Sequence, residues 1–212
     1  MSDADSRMRD IMTRAIVIPV YTPGGVDEAI QVAQALARGG VSVIEVTLRT
    51  KIAMDALKAM IDVSPTLAIG AGTVLTGAQM EAVAKAGAAF AVSPGCTPAL
   101  VRAAKQNHLP YLPGIATASE LMQGMEQGLA NFKFFPAAQA GGTAMLSAFA
   151  GPFPDIRFCP TGGISLQTAP DYLRLKNVSC VGGSWLTTPE RLARSDWQGI
   201  EQAAREAAGM VI

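Results

Sequence analysis

Along the chain one pattern of apolar and polar positions recurs: an amphipathic, alanine-rich helix, a glycine stop, then a short apolar run of strand character. In VDEAIQVAQALARGGVSVIEV, Val26, Ile30, Ala33 and Ala37 follow helical spacing, Gly39 and Gly40 end the helix, and 41–46 reads as strand. MEAVAKAGAAFAV and ELMQGMEQGLANFKF repeat it. The strand candidates are 15–20, 41–48, 67–72, 89–93, 109–114, 131–135, 156–160 and 179–183, eight in all. Strands alternating with helices predict parallel pairing through right-handed crossovers. With no Gly- or Ser-rich linker between units, the pattern predicts an α/β fold, a (β/α)8 TIM barrel forming a single domain over residues 1–212. A short helical segment is expected before the first strand. An open doubly wound sheet is the alternative.

Composition narrows the partners. Seventeen Lys and Arg balance seventeen Asp and Glu, so there is no excess of cations to neutralise nucleic-acid phosphates or membrane headgroups. Small-molecule partners are expected, with no nucleic acid and no membrane. The opening MSDADSRMRDIM lacks the apolar h-region of a signal peptide, and no stretch approaches the roughly 18 apolar residues of a membrane span. The expectation is a cytoplasmic protein. Cys96, Cys159 and Cys180 show no C-x-x-C pairing and read as buried thiols in a reducing compartment. His108 is the only histidine, so no multi-histidine metal centre can be built, and neither a metal nor another cofactor is expected. GAGTVL at 70–75 does not satisfy G-x-G-x-x-G and is not read as a dinucleotide fingerprint.

In such a barrel the chemistry gathers where strands end. The polar and glycine positions there are Glu45, Thr47 and Arg49; Gly72 and Thr73; Ser93, Pro94 and Gly95; Gly114 and Thr117; Lys133; Thr161 to Gly163; and Gly182 to Ser184. Lys133, set among phenylalanines in NFKFFP, faces either the lumen or the helix layer, and neither is bulk water. Desolvation disfavours an ammonium, and a neutral amine can attack a ketone to form an iminium. The alternatives are a structural ion pair or an amine that escapes at the strand end. Glu45 interrupts VSVIEV and shares strand parity with Arg49. A carboxylate beside an iminium can move protons, and an arginine fork suits a carboxylate or phosphate. An ion pair between Glu45 and Arg49 is the other reading. PTGGIS and VGGSW lie where many barrels bind phosphate, Gly162, Gly163, Gly182 and Gly183 admitting the anion and Ser184 adding a hydroxyl, unless the glycines only permit tight turns.

Taken together, GGVSVIEVTLRT, GAGTVL, SPG, FKFFPA, GPFPDIRFCPTGGIS and GGSWL resemble the bacterial 2-keto-3-deoxy-6-phosphogluconate aldolases, also active as 4-hydroxy-2-oxoglutarate aldolases. The resemblance implies a metal-independent class I aldolase yielding pyruvate and glyceraldehyde 3-phosphate. By it, Lys133 is the Schiff-base lysine and Glu45 the general acid/base. Arg49 and Thr73 hold the pyruvate carboxylate, Pro94 and Phe135 wall the pyruvate pocket, and Thr161 contacts the reacting carbons. Gly162, Gly163, Gly183 and Ser184 hold the phosphate. The resemblance also implies a homotrimer. Two stretches depart from it: Ala138, Gln139 and Ala140 stand where the family often has a glutamate and an asparagine-containing turn, and Ala116 stands where a serine is expected. A barrel isomerase or synthase working without a covalent lysine, and a sugar-phosphate binding protein, are the rival readings.

Overall fold

A computed structural model describes residues 3–210. Its strands are β1 (Val17–Tyr21), β2 (Val43–Thr47), β3 (Ala68–Gly72), β4 (Ala91–Ser93), β5 (Tyr111–Ile115), β6 (Asn131–Phe134), β7 (Arg157–Pro160) and β8 (Val181–Gly183). Each overlaps one of the eight expected runs. The helices are α1 (Asp3–Thr13), α2 (Val26–Arg38), α3 (Ala53–Val63), α4 (Gly77–Lys85), α5 (Pro98–Gln106), α6 (Ala118–Glu126), α7 (Gly142–Ala150), α8 (Ala169–Leu173), α9 (Pro189–Ala193) and α10 (Trp197–Ala208). The strands pair in parallel in the order β7-β6-β5-β4-β3-β2-β1-β8. Isolated bridges between Phe158 and Val178 and between Thr161 and Gly182 bring the two ends together, so the sheet is a nearly closed barrel. The open doubly wound alternative is set aside by that closure.

Alternation along the strands sorts the apolar side chains into two sets. Ile44 and Val46 of β2, Ile69 and Ala71 of β3, and Phe132 and Phe134 of β6 pack into the large cluster shared with the helices. Their neighbours Val43, Ala68, Val92, Leu112 and Cys159 form a second cluster inside the lumen, joined by Met8, Ile11 and Met12 of α1. These three positions fall on one helical face, and Met8 and Met12 are fully buried. Burying a methionine is worth about 1.5–3 kcal/mol. The expected N-terminal helical segment is thus the stopper of the barrel's lower end. Arg9 Nε donates to Asn131 Oδ1 (3.1 Å), Asn131 Nδ2 to the Asp5 carbonyl (2.9 Å), and Arg7 to the carbonyl of His108 (2.6 Å). His108 therefore lies at the floor, away from the strand ends where the candidate residues gather.

Cys159 and Cys180 are buried free thiols, and Cys96 is half-buried. Among the described residues no group of three or more His, Cys, Asp or Glu is gathered as a metal site would need, and no helix is long and apolar enough to cross a membrane.

Candidate active site

Lys133 and Asn131 occupy the lumen face of β6 because Phe132 and Phe134, at the other parity, are claimed by the helix layer. The lysine is buried there, only 5% exposed. Its Nζ donates to both carboxylate oxygens of Glu45, at 3.1 and 3.2 Å. Of the ion pairs among the described residues, only this one is buried at both ends. The sequence had left open a pairing of Glu45 with Arg49, and the structure gives the carboxylate to Lys133 instead. Removing one member of such a pair leaves an uncompensated charge at a cost of about 3–5 kcal/mol. The ring of Phe135 lies with its centroid 5.2 Å from Nζ.

Glycines flank the pair, one making room for Glu45 and the other for the loop after β4. A Cβ at Gly72 would sit 2.2 Å from Glu45 Oε1. On the other side, Gly114 is the β5 register partner of Lys133, and a Cβ there would meet the Pro94 carbonyl oxygen at 2.3 Å. Pro94 is thereby brought against the strand next to the lysine.

Above the pair, a cavity of about 170 Å³ is lined by Val20, Thr22, Arg49, Phe135, Thr161 to Ile164 and Gly182 to Ser184. Candidates from four separate stretches of sequence therefore share one space. Thr73 stands at its edge, where its hydroxyl accepts from Arg49 Nε (3.2 Å). Its backbone is left-handed at φ 58°, uncommon for a β-branched residue and typical of positions that function rather than packing dictates. Gly162 and Gly163 adopt φ of 101° and 72°, which explains glycine there conformationally. Gly182 and Gly183 serve differently: a Cβ on either would collide with the Thr161 side chain or the Trp185 ring. A larger hollow of about 430 Å³, lined by residues such as Ala138, Thr143 and Tyr172, shares only Gly163 with this cavity; Lys133 lines neither, and it is Phe135 that joins the smaller one to the lysine.

Other strand-end residues hold the rim together. Thr47 and Thr22 hydroxyls are 2.8 Å apart, and Thr50 donates to the Pro23 carbonyl (3.0 Å), tying the loop after β1 to that after β2. Ser93 bonds Tyr111 and the Gly95 carbonyl behind the barrel wall, where burial pushes the Tyr111 hydroxyl up and keeps it neutral. Thr117 is turned away from the cavity: it caps α6 in a reciprocal box with Glu120. Burial opposes ionisation of Glu120, yet bonds from the Ala116 N–H, the Thr117 hydroxyl and the Thr117 N–H outweigh it and lower its pKa. Sequence reasoning missed the steric roles of Gly72 and Gly114, for which glycine on a lumen-facing strand position was the available signal.

The family model described as KDPG and KHG aldolase matches residues 8–203. The KHG/KDPG aldolase of Escherichia coli K12 is 48% identical over 207 residues, covering 98% of this chain and 97% of that protein. Among solved structures, the KDPG aldolase of Legionella pneumophila, with pyruvate captured at low pH as a covalent carbinolamine, superposes with a TM-score of 0.93 at 44% identity, covering 95% of this chain and 98% of that one. The Zymomonas mobilis ZM4 2-keto-3-deoxy-6-phosphogluconate aldolase with 3-phosphoglycerate gives 0.92 at 41% identity, covering 99% and 96%.

Proposed function

Because the chain belongs to the KDPG and KHG aldolase family, we propose that its buried Lys133–Glu45 pair performs the imine chemistry of a class I aldolase. The enzyme cleaves 2-keto-3-deoxy-6-phosphogluconate reversibly to pyruvate and glyceraldehyde 3-phosphate. The observation that carries the assignment of roles is a buried lysine whose hydrogen-bond partner is a carboxylate able to take its proton.

Glu45 accepts a proton from Nζ, and the freed amine attacks C2 of the substrate to give a carbinolamine. The same carboxyl group returns the proton to the carbinolamine hydroxyl, which leaves as water and yields the iminium. Glu45 then removes the C4 hydroxyl proton; the C3–C4 bond breaks, its electrons flow into the iminium, and the aldehyde departs. Protonation of the enamine at C3 and addition of water release pyruvate and restore the lysine. Arg49 and Thr73 take the carboxylate of the keto acid, and Pro94 and Phe135 wall its methyl end. Thr161 faces the reacting carbons. The phosphate lies between Gly162, Gly163, Gly183 and Ser184, whose loops line one cavity. 4-Hydroxy-2-oxoglutarate shares the 2-keto and 4-hydroxyl groups but has no phosphate, so it uses Lys133 and Glu45 without these loops.

A homotrimer and a cytoplasmic setting complete the reading. Met122 and Met125, exposed on α6, offer apolar surface to a second copy, and three free thiols suit a reducing compartment. Incubation with pyruvate and borohydride followed by peptide mapping tests the central assignment. Reductive trapping on the peptide holding Lys133 is expected; a folded protein left unlabelled in excess pyruvate would point to acid/base chemistry without a covalent lysine.

A further inference from the structure

The Glu45 carboxylate has one hydrogen-bond partner among the described residues, the amine it must deprotonate. Once Nζ is bonded to substrate carbon, that bond no longer holds the carboxylate as it did, although every later proton transfer depends on its place. Gly72 lies against it from β3. A Cβ built there would lie 2.2 Å from Oε1, 2.6 Å from Cγ and 2.7 Å from Cδ of Glu45, closer than real side chains approach. The backbone at this position cannot yield easily: Gly72 is in register with Thr47 in the β2–β3 ladder, and its carbonyl accepts from Leu48 N–H (2.8 Å). Nor is its φ in the left-handed region, so alanine can adopt it. A methyl group at 72 would therefore move the carboxylate and leave the strand in place.

We propose that Gly72 is a positioning residue for catalysis, its bare backbone forming the slot that keeps the Glu45 carboxylate against Nζ through the reaction. The inference rests on the assignment of Glu45 as acid/base and adds why β3 must carry glycine opposite it. Misplacing a reacting group by about 1 Å costs on the order of 100-fold in rate.

The test is a cycle of Gly72→Ala and Glu45→Ala, alone and combined. Gly72→Ala should lower kcat on the order of 100-fold with KM nearly unchanged, because binding groups are untouched. Alanine ends at Cβ and so removes Oε1, Cγ and Cδ, the three atoms the added methyl would meet. In the Glu45→Ala background the same change should therefore lower the remaining kcat less than about threefold. Equal losses in both backgrounds, or an unchanged kcat in Gly72→Ala, would overturn the proposal. If Gly72→Ala is poorly folded, melting temperatures decide: Glu45→Ala should abolish the destabilisation, and its persistence at full size refutes the slot. Glu45→Gln reports separately on the underlying assignment. A wild-type kcat there would remove the acid/base role itself, whereas a slow Glu45→Gln with additive Gly72→Ala losses would sink only the role of Gly72.

Discussion

Two glycines on the lumen face of β3 divide the barrel into a floor and a mouth. Gly70 gives its missing side chain to the ring of Phe90, which would lie 2.4–2.5 Å from a Cβ, while Gly72, two residues on, gives the same space to the carboxylate of Glu45. Below, an aromatic ring and the α1 stopper fill the lumen with matter that excludes water. Above, the identical device keeps a charged group where it can act. The lesson is that glycine here is read by what it admits: packing in one layer, chemistry in the next.

If that division is real, variants should separate by layer. The largest effect belongs to the mouth. Lys133→Arg keeps a cation beside Glu45 but cannot supply a neutral amine, so turnover should fall by about 10⁴-fold or more, with no borohydride adduct and little change in melting temperature. Next comes the floor: Phe90→Ala should cost about 3–5 kcal/mol by denaturant unfolding, with kcat of the folded enzyme unchanged. A matching drop in kcat would break the division. Ser184→Ala sharpens the mouth from within. Losing one hydrogen bond to a charged phosphate, about 1.5–3 kcal/mol, should raise KM for the phosphorylated substrate and not for 4-hydroxy-2-oxoglutarate; equal changes would refute the phosphate assignment.

The smallest effect tests whether a rim residue can behave as scaffold. Glu120 has its pKa lowered in the folded state, so its contribution to stability is present above the ordinary glutamate range and is lost as pH falls through the lower folded value. Glu120→Gln should lower the melting temperature slightly near neutrality, for a cap worth about 1 kcal/mol or less, and the difference from wild type should shrink in acid. A shift in the kcat profile instead would move Glu120 into the site.

The sequence disclosed most of the barrel because each strand is an apolar run bounded by glycine or by a helical repeat, and these are local signals. Lys133 stood out for the same reason, as a charge inside such a run. What local pattern could not supply was partnership across the lumen. Strand parity put Glu45 and Arg49 on one face and so allowed them as a pair, whereas the carboxylate faces a lysine 88 residues away. Thr117 was placed among the strand-end candidates, although Thr117-Ala118-Ser119-Glu120 spells a capping box whose local signal was available. Gly72 was placed among the strand-end positions and its stretch tested against a nucleotide motif, with no steric role given to it. Its importance depends on the side chain from a neighbouring strand that leans over it, and no spacing within GAGTVL carries that.

The stopper also bears on how the chain is made. Arg9 of α1 bonds the side chain of Asn131 and the carbonyl of Asp155, and Asn131 bonds back to Asp5. During synthesis, at about 5–20 residues per second, α1 leaves the ribosome several seconds before these partners exist, with its methionine face uncovered. The helix that precedes β1 is thus among the last elements to be fully seated, and a nascent chain halted before residue 131 carries its methionine face without the β6 anchor that fixes it.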